Sequence, residues 1–68
     1  MQEIATITTI HAESGEEAVA VIRAAKNLIS VCLSLMHDGD VEVVFKLEDG
    51  RSLLEALHKA IAIAENSL

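Results

Sequence analysis

A single cysteine in a chain of 68 residues limits how this protein can be stabilised. A chain of this length forms one domain and buries only about 60% of the surface that its unfolded form exposes. Small folds usually compensate with disulfides, a structural metal or self-association. Cys32 alone can form neither an internal disulfide nor a thiolate-rich zinc site. We therefore predict a single domain over residues 1–68 that is reinforced by oligomerisation.

The apolar content supports the same expectation. Apolar residues make up 51% of the chain, and Phe45 is its one aromatic residue. A domain with so little interior leaves some of these side chains on its surface, where a contiguous apolar patch usually marks a contact site. We expect a homodimer or a larger homo-oligomer.

The charge distribution argues against a nucleic-acid partner. The net charge is −6, and the five Lys and Arg residues are scattered along the chain. Nucleic-acid-binding proteins concentrate positive charge or stacking aromatic residues, and this chain does neither. The sequence also lacks an apolar run of the ~20 residues that a membrane-spanning helix needs, and its N-terminus does not resemble a secretory signal. Because the unpaired Cys32 suits a reducing compartment, we expect a soluble cytoplasmic protein without a membrane partner.

The first third of the chain predicts a strand and then a helix. Residues 3 to 11 are rich in β-branched side chains, which favour a strand. Ser14 and Glu17 have the spacing of a capping box, which is typical of a helix N-terminus. The expected core face of this helix comprises Ala18, Val21, Ile22 and Ala25.

Residues 28 to 36 support two interpretations. Apolar residues alternate with Ser30, Cys32 and Ser34, which indicates a strand, but polar residues also recur at helical spacing, which would let the first helix continue. Turn chemistry favours the strand, because a three-residue loop over residues 37 to 39 would place Gly39 in the left-handed conformation. That loop predicts a hairpin register that brings apolar residues together: Leu35 with Val41, Leu33 with Val43, Val31 with Phe45, and Ile29 with Leu47.

The last helix is predicted from a second capping box, Ser52 to Glu55, with Leu54, Leu57 and Ile61 on its apolar stripe and Glu55 and Lys59 as an i,i+4 pair. The predicted α+β fold is therefore β-α-β-β-α. A right-handed crossover gives a three-stranded sheet of order 2-3-1, with two helices on one face. The alternative is β-α-β-α with a long first helix. In the leading version the opposite face and both outer strands are open to a second subunit.

His11 is the strongest candidate for a chemical role. It ends the first predicted strand within Ile10-His11-Ala12, before the predicted helix. This placement, with the element order, resembles the phosphocarrier protein of the sugar phosphotransferase system, and the resemblance implies phosphoryl transfer through His11. Glu13 and Ser14 stand where that family has Arg and Pro, and an acidic neighbour repels a phosphoryl group. The chain also lacks that family's final strand and helix.

The remaining candidates predict no metal or catalytic site. Glu55 and His58 have the spacing of a di-iron ligand pair but occur once. Residues 38 to 40 resemble a fragment of a calcium loop without its downstream ligands, and a turn explains them. No recognised ligand spacing links His11, His37, His58 and Cys32. We predict no catalytic residues, no cofactor and no metal.

The segment from Gly50 to Leu57, Gly-Arg-Ser-Leu-Leu-Glu-Ala-Leu, resembles the helix that follows a strand in small antitoxins. This resemblance implies a role in binding a protein. The leading functional prediction is thus a non-enzymatic binding or regulatory module that acts as a homo-oligomer. The alternatives are a phosphocarrier-like or transferase component that uses His11, and an acidic antitoxin or immunity-type inhibitor of a basic partner.

Overall fold

The computed structural model describes residues 1–67 and shows a four-stranded antiparallel sheet followed by one helix. The strands lie in sequence order, β1-β2-β3-β4. The prediction of a three-stranded sheet of order 2-3-1 with two helices is therefore wrong, as is its β-α-β-α alternative. The elements are β1 (Gln2–Ile10), β2 (Glu17–Ala25), β3 (Leu28–Leu35), β4 (Gly39–Lys46) and α1 (Leu47–Glu65).

The predicted first helix is strand β2, which lies in the middle of the sheet between β1 and β3. The Ser14 hydroxyl accepts a hydrogen bond from the Glu16 amide at 3.2 Å, so it stabilises a turn and does not cap a helix. Pairing with a neighbour on each side satisfies the backbone of β2 along its whole length, and this long-range pairing outweighs the local helical signal.

Residues 28 to 35 form a strand, which resolves the ambiguity left by the sequence. Gly39 has φ 81°, so its predicted left-handed conformation is confirmed. The predicted register is wrong by two residues, because Gly39 itself pairs with Leu35 and the turn comprises residues 36 to 38. A slip of two residues preserves the face on which each side chain lies. The observed apolar pairs are Leu33 with Val41, Val31 with Val43, and Ile29 with Phe45.

Helix α1 begins at Leu47, five residues before the predicted start. Ser52 does not cap it, since the Ser52 hydroxyl donates to the Glu48 carbonyl oxygen at 3.2 Å within the helix. The acidic residues Glu48 and Asp49 in the first turn favour a start at Leu47 through the helix dipole. The predicted pair of Glu55 and Lys59 is present, at 3.8 Å and fully accessible to solvent.

The register divides the sheet into two chemically different faces. One face, which we call the apolar face, carries no charged side chain; the other, the polar face, carries the Arg23 and Glu42 side chains. The apolar face comprises Gln2, Ala5, Ile7 and Thr9 of β1, Ala18, Ala20, Ile22 and Ala24 of β2, Ile29, Val31, Leu33 and Leu35 of β3, and Gly39, Val41, Val43 and Phe45 of β4.

Helix α1 packs on one end of the apolar face, against β3 and β4. The contact is close at Gly50, where a Cβ would lie 3.1 Å from Ile29 Cγ1. The backbone amide of Leu47 also donates to the Asn27 carbonyl oxygen at 3.1 Å, which fixes the start of the helix beside the turn between β2 and β3. The first turns of α1 are therefore held in place, and they cover only the near end of the sheet.

We expect Gly50→Val to lower the free energy of unfolding by about 1–3 kcal/mol, because overpacking this contact pushes α1 away from β3. Ala56→Val is the matched control on an exposed site of the same helix, and it costs only the difference in helix propensity, about 0.6 kcal/mol. Urea denaturation of both variants at one protein concentration measures the two losses. Equal losses would contradict a close helix–sheet contact at Gly50.

Candidate interaction surface

No apolar side chain in residues 1–67 is fully buried, and Ser30 is the one buried residue of that part of the chain. On the apolar face, Ile22, Ile29, Val31 and Phe45 are half-buried at the end that α1 covers. Beyond the helix, Leu33 is 53% exposed and Val41 is 57% exposed. The far half of this face is therefore an open apolar surface.

Small residues on the central strand shape this open half into a trough. Both neighbouring strands place larger side chains beside two alanines of β2: Ala20 is directly opposite Ile7 and Leu33, and Ala18 is directly opposite Thr9 and Leu35. Ala18, Ala20, Leu35 and Val41 line a shallow cleft of about 450 Å³, and His11, Asp38 and Asp40 are also among its lining residues. Its position and its lining are suited to an apolar side chain from outside the protomer.

Helix α1 carries a second open apolar surface, which we call the stripe and which comprises Leu54, Leu57 and Ile61. These residues recur at spacings of three and four, so they lie along one side of the helix. All three are exposed, Ile61 to 56%. Ile63, which is 67% exposed, is two residues further on and lies on a different side. The stripe continues the surface with which α1 contacts the sheet.

On the polar face, hydrogen-bonded side chains cover Ser30. The Ser30 hydroxyl, which is 0% exposed, donates to Glu42 Oε2. Arg23 Nη1 donates to the same oxygen at 3.2 Å, so the carboxylate bridges β2 and β3 from its place on β4. Cys32 is a free, half-buried thiol on this face, directly opposite Glu42. Ser30, Arg23 and Glu42 thus form one hydrogen-bonded cluster across three strands, whereas the far half of the apolar face has no covering layer.

His11 lies in the turn between β1 and β2, and no helix follows it. Its Nδ1 accepts hydrogen bonds from the backbone amides of Glu13, at 3.1 Å, and Ser14, at 3.4 Å. The His11 amide and carbonyl also bond to Glu16 and Gly15 across the turn. The expected position at a strand-to-helix junction is therefore wrong, and the imidazole acts as a structural acceptor in the turn.

We expect His11→Ala to lower the free energy of unfolding by about 1 kcal/mol, because two turn amides lose their acceptor. His11→Asn should restore most of this loss, since the Asn side-chain oxygen occupies nearly the same position as Nδ1 and commonly accepts from turn amides. Thermal denaturation monitored by circular dichroism at a fixed protein concentration compares the two variants. An Asn variant as unstable as the Ala variant would contradict the acceptor role.

Of the other predicted candidates, residues 38 to 40 line the cleft together with His11, whereas Glu55 and His58 do not. His58 and Glu55 are on exposed turns of α1, and residues 38 to 40 lie in the turn before β4 and at its start. Within residues 1–67, no three His, Cys, Asp or Glu side chains are grouped so that they could hold a metal ion. The segment from Gly50 to Leu57 lies within α1, the helix that directly follows strand β4.

No family model, curated protein or solved structure matches this chain. The candidate surface therefore depends on the geometry of this molecule. Across residues 1–67, no helix combines the length and the apolar composition that crossing a membrane requires.

The sequence-based interpretation missed the far half of the apolar face. Its central residues, Ala18 and Ala20, were assigned to the predicted first helix. A signal was present, because Ala18, Ala20, Ile22 and Ala24 alternate with Val19, Val21 and Arg23 at a period of two. The capping box at Ser14 overlaps this pattern and favoured the helix.

Proposed function

We propose that this protein is a non-enzymatic binding or regulatory module that works as a homo-oligomer, with the apolar face as its contact surface. One observation carries the proposal: a sheet face without a charged side chain is open over its far half, in a protomer without a buried apolar residue among residues 1–67. The unpaired Cys32 is compatible with a reducing compartment, and we place the protein in the cytoplasm.

The energetics of small domains support self-association. Burial of apolar surface contributes about 25 cal/mol per Å² and is the main favourable contribution to folding. A protomer that leaves Leu33, Val41 and Ile61 largely in water forgoes much of this contribution. Association restores it, because the same side chains are then removed from water at the interface.

The alternative functions draw less support from the arrangement of the residues. The resemblance behind a phosphocarrier role places the histidine before a helix, whereas His11 lies in the turn before strand β2, where its Nδ1 accepts from two turn amides. An acidic inhibitor would dock mainly through carboxylates, whereas the cleft on the apolar face has only those of Asp38 and Asp40 among a lining that is mainly Ala, Val and Leu. We therefore favour contact between apolar surfaces over an electrostatic partner.

Sedimentation equilibrium tests the proposal on the intact chain. Because the protein has no Trp or Tyr, interference optics are needed to record the concentration gradient. We expect a mass at least twice that of the 7.3 kDa protomer at concentrations of about 1–100 µM, the range of ordinary self-association. The protomer mass at every concentration would contradict the proposal.

A further inference from the structure

The surface of the protomer is too large for a compact monomer of its mass. It exposes 5466 Å², whereas a compact monomer of 7.3 kDa exposes about 4,200 Å². Its radius of gyration is 13.5 Å, against about 11 Å for a compact chain of 68 residues. The protomer is a single layer of sheet with a helix extending from one end, and its surface excess is about 1,300 Å².

This excess has the size of a permanent interface. Two protomers that bury it against each other remove about 2,600 Å² from water in total, whereas permanent homodimers bury about 2,000–5,000 Å² and weak encounters less than about 1,200 Å². An interface of this size is typical of a permanent partner, which would cover the apolar face as a second layer. A ligand of a few atoms could not cover such an area.

The protomer itself contains a segment that could form this second layer on another copy. Helix α1 has 19 residues and is about 28 Å long, which is close to the length of a strand of eight residues, such as β3. Only its first turns cover the sheet, so its second half and the far half of the apolar face are both left open. Each copy thus has an open trough and an open stripe, each suited to the other.

We infer that the occupant of the apolar face is a second copy of this chain, whose stripe lies in the trough around Leu33 while its own trough receives the stripe of the first. This inference rests on the proposed homo-oligomer and adds its geometry. The arrangement has two-fold symmetry, so one kind of contact is made twice and the assembly closes as a dimer. It buries no charged side chain of the sheet, because the apolar face has none.

A different protein fits the two surfaces less well. A partner that fills only the trough leaves Leu57 and Ile61 in water, and a partner that binds only the stripe leaves the trough open. Reciprocal exchange covers both surfaces on both copies with one contact. Two sheets that meet apolar face to apolar face would also make a dimer, but one that does not use the stripe of α1.

Disulfide trapping distinguishes these dimers. In a Cys32→Ser background, one sample carries Leu33→Cys and a second carries Ile61→Cys; a third with Ile63→Cys is the control. The samples are mixed in pairs, equilibrated in mild denaturant, refolded and oxidised. Peptide mass spectrometry measures the yield of each disulfide between different chains. We expect the yield between positions 33 and 61 to exceed the yield between positions 33 and 63 by at least about tenfold, the ratio for a difference of 1.4 kcal/mol.

The possible outcomes test the helix exchange and the homo-oligomer separately. A dimer that forms mainly the disulfide between two copies of position 33 would overturn the helix exchange and keep the homo-oligomer. A monomer that forms none of the disulfides would overturn both. If a cysteine variant fails to fold, isotope-filtered NMR of a mixed labelled and unlabelled wild-type sample tests the same contact. We expect contacts between the Ile61 and Leu33 methyl groups of different chains. Their absence from a dimer would contradict the inference.

Discussion

Ile61→Glu is expected to dissociate the homo-oligomer and to raise its dissociation constant at least about 100-fold, which corresponds to about 2.7 kcal/mol. The reason is that the stripe contact places a carboxylate from each copy in the apolar trough of the other, and burial of an unpaired charge costs several kcal/mol per ion. Sedimentation velocity of the variant measures the change over the concentration range in which the wild-type protein is associated.

Ile63→Glu is the matched control for this substitution. Ile61 is 56% exposed and Ile63 is 67% exposed in the protomer, on the same helix and with the same side chain. The stability of an isolated protomer would therefore respond almost equally to the two substitutions. The proposed contact involves only the side of α1 on which Ile61 lies, so Ile63→Glu should leave the dissociation constant within about threefold, which corresponds to about 0.6 kcal/mol. Equal effects of Ile61→Glu and Ile63→Glu on the dissociation constant would contradict an interface at the stripe.

Val41→Glu is expected to have a comparable effect from the other side of the same contact. Val41 is 57% exposed on the far half of the apolar face, where it is directly opposite Leu33. A carboxylate there would be buried under the helix of the partner copy, so the dissociation constant should again rise by at least about 100-fold. Size-exclusion chromatography with light scattering measures the loss of the larger species.

The control for Val41 lies on the same strand but on the polar face. Val44 is 51% exposed, pairs with Ser30, and lies between Glu42 and Lys46 on that face. Val44→Glu makes the same chemical change at nearly the same exposure, and we expect it to leave the association state unchanged. If it dissociated the protein as fully as Val41→Glu, the polar face would be the interface instead.

The period-two pattern of the second half of the sheet was readable from the sequence. Ser30, Cys32 and Ser34 alternate with Val31 and Leu33, and this pattern predicts the correct faces. The turn did not fix the register, because Gly39 can occupy the left-handed position both as the last loop residue and as the first residue of β4. Either register brings apolar residues together, so local pattern alone could not choose between them.

The predicted first helix failed for a physical reason. A Ser-x-x-Glu spacing describes only four residues, and the hydroxyl of Ser14 can serve a turn as readily as a helix. The conformation of Glu17–Ala25 depends on two partner strands that are distant in sequence. Single-sequence propensity does not contain that information, and the predicted topology was wrong as a result, although the α+β class was right.

The sequence predicts that the protein has an apolar contact surface, but it does not predict where most of that surface lies. Length, apolar content and the lone Cys32 predict self-association without any knowledge of the fold. The sequence also identified the stripe, including Leu57 and Ile61, although the start of its helix was misplaced. The trough needed the structure, because Ala18 and Ala20 form it only once β2 is known to lie between β1 and β3.

We propose that the homo-oligomer, and not the isolated protomer, is the stable folded unit, and urea unfolding at two protein concentrations tests this proposal. Circular dichroism at about 2 µM and about 200 µM records the loss of the sheet and helix, and a 100-fold change in concentration stabilises a dimer by about 2.7 kcal/mol. With a urea dependence of about 1–3 kcal/mol per M, we predict that the midpoint rises by about 1 M or more. Identical midpoints at both concentrations would show that the protomer folds alone, and would contradict the account.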